Sequence, residues 1–192
     1  SPSGGFGEVL DTGLFDTTGT LFLAENTGGP AVTFDGINFA AATGTYFDGD
    51  FDGFHQDGQI LSEHGSYGDA GSAGTVSLTG LTSGFSYRVQ ALVFDGRGVV
   101  GIPGRTVAFD GLDQGQYASG VDGVTWGDGL IVTGIFTADA TTQDFTIEGF
   151  LGATSTGAQL NALTVYQVPE PSTFALLAGL TGLASVMLRR RR

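Results

Sequence analysis

The 192-residue chain contains no cysteine and no lysine, and only seven basic residues. Without cysteine there is no disulfide scaffold, thiolate zinc site or cysteine nucleophile, and without lysine there is no Schiff-base chemistry. The basic residues are Arg88, Arg97, Arg105 and the terminal run Arg189–Arg192. That is too sparse a footprint for nucleic-acid binding, which rests on many phosphate contacts. Charged residues make up 14 % of the chain, and the formal net charge is −13. What is abundant is glycine, with 34 residues, about 2.5 times its usual share. The length suits one domain with an appendage.

The charge divides the chain. Ahead of Pro171 stand all twenty acidic residues against three arginines, whereas the tail that follows is apolar and then purely cationic. Such asymmetry marks an appendage with a partner of its own. Residues 172 to 188 carry no charge. At 1.5 Å per residue this segment spans ~25 Å as a helix, slightly under a hydrocarbon core, so a short single transmembrane helix is expected there. Pro171 suits its first turn, and Gly179 and Gly182 are tolerated in a membrane. Arg189, Arg190, Arg191 and Arg192 belong on the cytoplasmic side, which puts the body on the periplasmic side.

The order Val168-Pro169-Glu170-Pro171-Ser172, apolar helix, arginine cluster resembles the PEP-CTERM sorting signal of Gram-negative bacteria. The resemblance covers residues 168–192. It implies export through the inner membrane, recognition by an exosortase-type transpeptidase, cleavage near the Pro-Glu-Pro triplet and delivery to the surface or extracellular matrix, often alongside exopolysaccharide. In that case Val168, Pro169, Glu170, Pro171 and Ser172 are a recognition element. Such precursors carry a signal peptide, expected here to have been removed ahead of Ser1 or to lie outside this sequence. A stably anchored accessory subunit of an inner-membrane protein complex is the alternative that retains the tail.

The body reads as all-β. Asp-Gly recurs at 35–36, 48–49, 52–53, 57–58, 95–96, 110–111, 122–123 and 128–129, and this pair favours tight turns. Between the turns lie β-rich runs at Thr75–Thr79, Phe85–Phe94, Arg105–Phe109, Leu130–Thr137, Asp144–Phe150 and Leu160–Val168. Weaker runs fall at Thr20–Ala24, Ala31–Phe34 and Ile37–Ala41. Within Phe85–Phe94, the residues Tyr87, Val89, Ala91 and Val93 face one way, with Arg88 and Gln90 opposite. Eight to ten short strands of this kind predict a β-sandwich of jelly-roll type over residues 8–167, preceded by a flexible leader at 1–7. The stretch Gly80–Gln90, then Phe94-Asp95-Gly96-Arg97 and Gly104–Val107, is similar to the galactose-binding and malectin-like sandwiches often joined to such tails. That second resemblance bears on the fold.

Few residues suggest chemistry. Asp48-Gly-Asp50-Phe-Asp52-Gly53 has the form of a calcium loop, since a cation would relieve repulsion between alternate carboxylates. Gln59 at the twelfth position and the absence of flanking helices argue against an EF-hand. A Ca2+ site on Asp48, Asp50, Asp52 and Asp57 competes with a solvated acidic turn. Trp126, with Asp128 and Tyr117, offers a stacking platform and a carboxylate for a sugar; a core aromatic is the other reading. His64 lies beside Glu63 among Ser62 and Ser66, but no nucleophile elbow supports hydrolysis. His55 is the other histidine. The expectation is therefore a non-enzymatic structural protein of the surface or matrix, with a calcium-dependent carbohydrate-binding module as its rival.

Overall fold

The computed structural model describes residues 6–7, 15–43, 46–51, 61, 64–94, 105–116 and 130–169. These form fifteen strand segments, numbered here along the chain. One sheet has seven strands in the spatial order β1 (Phe6–Gly7), β11 (Leu130–Thr137), β8 (Ser86–Val93), β15 (Ala162–Val168), β2 (Thr20–Asn26), β4 (Ile37–Ala41) and β3 (Val32–Phe34). All its pairs are antiparallel except β2 with β4. The second sheet runs β10 (Leu112–Gln116), β9 (Arg105–Phe109), β12 (Thr142–Leu151). On the far edge of β12 lie β7 (Gly74–Thr79) and β13 (Thr154–Gly157), end to end. A small third sheet joins β14 (Gln159–Leu160), β6 (Gly65–Tyr67) and β5 (Gly49–Phe51).

Two of the Asp-Gly pairs make the hairpins expected of them. Asp35-Gly36 joins β3 to β4 and Asp110-Gly111 joins β9 to β10, with positive φ at both central positions of each turn. Aspartate tolerates this region better than most side chains and glycine adopts it freely, so the turn twists with its strands. Asp48-Gly49 is instead part of a ladder: the Asp48 N–H donates to the Tyr67 carbonyl at 3.1 Å, and Gly49 pairs with Tyr67. The other Asp-Gly pairs lie outside the described residues. Of the segment expected as a leader, Phe6–Gly7 pair with Gly134 and Thr133 as an edge strand.

The main core closes between the two large sheets. Val76, Leu78, Val107, Phe109, Phe145 and Ile147 from one pack with Tyr87, Val89, Ala91, Val93, Val132, Leu163 and Val165 from the other. Phe109 stacks on Phe145 at 6.1 Å, and Tyr87 on Phe136 at 5.8 Å. Full burial of each such side chain is worth ~1.5–3 kcal/mol, and aromatic pairing adds ~0.5–1.5 kcal/mol.

The seven-stranded sheet carries a second, smaller core on its other face. Phe15 and Phe39, 5.4 Å apart, cover Ala24, Ile131 and Ala162 together with Ile37 and Leu61. This explains a departure from the simple alternation read in β8. Arg88 and Gln90 do lie opposite the apolar row, yet they are 5 % and 2 % exposed, because that face is covered as well. Arg88 meets its burial by donating to the carbonyls of Asp16 and Thr18, both at 2.6 Å. It also bonds Thr18 Oγ1, pairs with Asp16 Oδ2 at 2.6 Å and lies 5.3 Å over the Tyr166 ring.

The run Leu160–Val168 is broken at Asn161. Its backbone N–H reaches Leu92 at 2.9 Å, and its carbonyl accepts from the Thr27 N–H at 3.0 Å. Its side chain accepts from the Phe94 N–H and donates to the His64 carbonyl, both at 2.8 Å. One fully buried amide thus closes the end of β8 onto the loop before β6.

Candidate functional site

Among the described residues a lateral cleft lies between β2 of the larger sheet and the edge strand β7 of the second. It begins with an irregularity in β2. Tyr166 pairs with Leu21 and Val165 with Leu23, so Phe22 is an extra residue, a β-bulge. The bulge turns consecutive residues Phe22 and Leu23 to the same side, and both line the cleft. Phe22 rests edge-on against Tyr87 at 5.5 Å and stays 38 % exposed. Opposite stands β7, whose Val76 and Leu78 are buried while Thr75, Ser77 and Thr79 are exposed, as strand alternation requires.

The first chamber measures about 400 Å3 and is lined by Phe22, Leu23, Glu25, Thr43 and Tyr46 together with Thr75, Ser77, Leu78 and Thr79. A second of about 360 Å3 shares Tyr46 and Thr75 with it and adds Phe47, Asp48 and Ser72. The Tyr46 hydroxyl donates to Glu25 Oε2 at the junction. Burial, then this bond and the nearby carboxylate charge, push the Tyr46 phenol far above its ordinary range and keep it neutral. Among the described residues no basic side chain lines either chamber. The lining is more polar than apolar, with hydroxyls and carboxylates set around the side chains of Phe22, Leu23, Tyr46 and Phe47. Such a lining suits a neutral polyhydroxyl ligand that stacks through an apolar face and repels anions.

Of the four aspartates expected to hold calcium, two are described. Asp48 Oδ2 accepts from the Asp69 N–H at 2.7 Å, and Asp50 Oδ1 accepts from the Ser66 hydroxyl. Each keeps a second carboxylate oxygen, and both side chains are exposed. Among the described residues no three His, Asp or Glu side chains gather around one point; Asp52 and Asp57 lie outside them. Trp126, Tyr117 and Asp128 also lie outside, as do His55, Ser62 and Glu63. His64 sets its ring against the backbone of Gly29, where an added Cβ would come within 2.6 Å of the imidazole. Phe22, Glu25 and Tyr46 were not singled out by sequence, because a bulge and a contact across twenty-one residues leave no local pattern.

The C-terminal segment leaves from the middle of the larger sheet. Gln167 pairs with Tyr87 on one side and Thr20 on the other, and Val168 pairs with Ser86. Pro169, which has no N–H to donate, follows directly. Glu170, Pro171, Ser172, the expected helix 172–188 and Arg189 to Arg192 lie outside the described residues. Among the described residues no helix is long and apolar enough to cross a membrane.

Residues 167–192 match the PEP-CTERM protein-sorting motif. The motif implies export with membrane anchoring or surface association, and an exosortase-processed substrate. Among curated proteins, none matches this chain by sequence. In structure the chain is similar to the ANXUR1 extracellular domain from Arabidopsis thaliana, with a TM-score of 0.54 and 10 % identity over 78 % of this chain and 49 % of that one. The ANX2 ectodomain from Arabidopsis thaliana gives 0.55 and 11 % over 79 % and 50 %. The plant receptor-like kinase FER gives 0.55 and 9 % over 79 % and 50 %. The chain spans about half the length of these structures. The likeness is one of fold: those structures are malectin-like, galactose-binding-type ectodomains, and this chain shares their all-β sandwich architecture.

Proposed function

We propose that this β-sandwich with its PEP-CTERM motif is an exported, non-enzymatic structural protein of the cell surface or extracellular matrix. The observation that carries the reading is the position of the motif. It continues without a spacer from a central strand of the folded body, so the whole sandwich is its cargo. In this reading the sandwich has jelly-roll connectivity. Residues 172–188 hold the body on the periplasmic face of the inner membrane until an exosortase-type transpeptidase acts near Pro169-Glu170-Pro171. Exopolysaccharide is the surrounding material. The test expresses the full chain behind a signal peptide, with and without the transpeptidase, and follows fractionation and the C-terminal mass. Surface-associated chains ending near residue 170 support the reading. Intact chains co-purifying with an inner-membrane complex favour the accessory-subunit alternative, and turnover of a polysaccharide would end the non-enzymatic assignment.

The lateral cleft favours a second reading, a calcium-dependent carbohydrate-binding module. Here the apolar wall at Phe22 and Tyr46 and the hydroxyls of β7 meet a neutral sugar, while Asp48, Asp50, Asp52 and Asp57 hold Ca2+. Trp126, Asp128 and Tyr117 supply a further stacking site. Retention of the full chain on immobilised polysaccharides, with calcium and with EDTA, separates this reading from the first. Equal washing-through in both conditions would remove it.

A further inference from the structure

The sorting motif and the fold claim the same two residues. The motif begins at Gln167, whereas β15 continues to Val168. Neither residue dangles at an edge. Gln167 is paired on both sides, to Tyr87 and Thr20, and Val168 pairs with Ser86.

The strand end is held by more than its ladder. Gly19, at φ +110°, runs so close that an added Cβ would sit 2.5 Å from the Gln167 carbonyl oxygen and 3.3 Å from Val168 Cγ1. Only glycine combines that backbone conformation with that approach. The segment leading into Gly19 is in turn fixed by Arg88, through the carbonyls of Asp16 and Thr18. A continuous chain of contacts therefore runs from the buried guanidinium to the first residues of the sorting motif.

Beyond Val168 there is little slack. Residues 169 to 172 span at most ~14 Å fully extended, and the uncharged run begins at Ser172. An enzyme that takes a peptide segment in extended form pairs with its backbone N–H and C=O groups. Gln167 already lies in the ladders to both β8 and β2, and Val168 in the ladder to β8, and one set of groups cannot serve both partners.

We propose that the sandwich and the enzyme that reads the sorting motif compete for Gln167 and Val168. Processing then proceeds through a locally opened state in which the end of β15 peels away from Ser86, Tyr87 and Thr20. The fold delays release of its own tail until that end opens, and the surface uncovered, bounded by Gly19 and Ser86, is the one the enzyme meets. This rests on the sorting reading above.

The experiment measures tail loss from the full chain in membranes that contain the transpeptidase. Since the chain has no cysteine of its own, Ser86→Cys with Val168→Cys makes the sole disulfide and locks the terminal pair. The oxidised variant is expected to lose its tail at least tenfold more slowly than wild type, and reductant should restore the rate. A second variant needs no cross-link: a four-residue Gly-Ser insertion between Val168 and Pro169 supplies free backbone, and tail loss should become several-fold faster. Oxidised and reduced chains processed alike, or an insertion without effect, would overturn the competition. A wild-type chain that never loses its tail would instead remove the sorting reading itself.

Discussion

Tyr46 donates its phenolic hydrogen to Glu25 across the junction of the two cleft chambers, tying the residues ahead of β5 to the bulged strand β2. The bond shapes the cleft and gives its wall a defined protonation state. Because the folded phenol titrates far above its unfolded value, the fold favours the protonated form.

That preference has a sign. A group whose folded pKa is raised contributes stability that is intact below its unfolded value, here ~10, and is lost as pH climbs above it. Thermal unfolding between pH 8 and 11 should show the wild type losing stability above pH 10 more steeply than Tyr46→Phe. At neutral pH the substitution should cost ~1.5–3 kcal/mol, the net worth of one hydrogen bond to a charged group. Parallel pH profiles would mean that the phenol titrates alike in the folded and unfolded chain, so that the fold does not favour its protonated form.

The Arg88 latch behaves oppositely in acid. Burial raises the Asp16 carboxyl, but the Thr18 hydrogen bonds and the Arg88 charge outweigh it and leave it below its ordinary value. Its contribution is present above pH ~4 and lost as pH falls through the lowered value. Asp16→Asn should therefore flatten the acid limb of the stability curve, with a neutral-pH cost under ~1 kcal/mol for so exposed a carboxylate. Arg88→Met should cost more, ~2–5 kcal/mol, because the Asp16 and Thr18 carbonyls lose a charged donor. Urea unfolding at pH 3, 5 and 7 checks both.

Asn161→Ala removes the buried bond from the Phe94 N–H and the half-buried bond to the His64 carbonyl. Each lost hydrogen bond is worth ~0.5–1.5 kcal/mol, so a loss of ~1–3 kcal/mol is expected by chemical denaturation. Asn161→Asp should be no better, since a carboxylate would face the His64 carbonyl. A loss under ~1 kcal/mol for the alanine variant would mean that the amide does not organise this end of β8.

Carbohydrate retention can locate its own site. If the lateral cleft holds the ligand, Phe22→Ala should weaken retention about tenfold, the worth of one aromatic contact near 1.4 kcal/mol, while Trp126→Ala leaves it unchanged. The reverse ranking places binding at Trp126. Chelation with EDTA, compared with Asp48→Asn and Asp50→Asn, reports whether the acidic turn takes part.

Much of the fold was legible because strand alternation and turn chemistry are local. The strands at Arg105–Phe109, Leu130–Thr137 and Ile37–Ala41 fall where the apolar pattern put them. Asp35-Gly36 and Asp110-Gly111 turn as their backbone preferences require. The short strands β5, β6 and β13 were not legible. Their residues are glycine, serine, threonine, tyrosine and aspartate, with at most one phenylalanine, and they become strands only by pairing with partners brought close by the rest of the fold.

The sequence by itself determined the all-β class, the two tight turns and the sorting motif, each written in residues adjacent in the chain. Tertiary structure alone decided the rest. Arg88 and Gln90 are buried because a second layer covers their face. Phe22 lines a cleft because the register slips by one residue against β15. Gln167 and Val168 belong to both strand and motif because the ladder extends past the motif's first residue. Each of these depends on which distant residues come to lie alongside, and chain-local patterns do not encode such pairings.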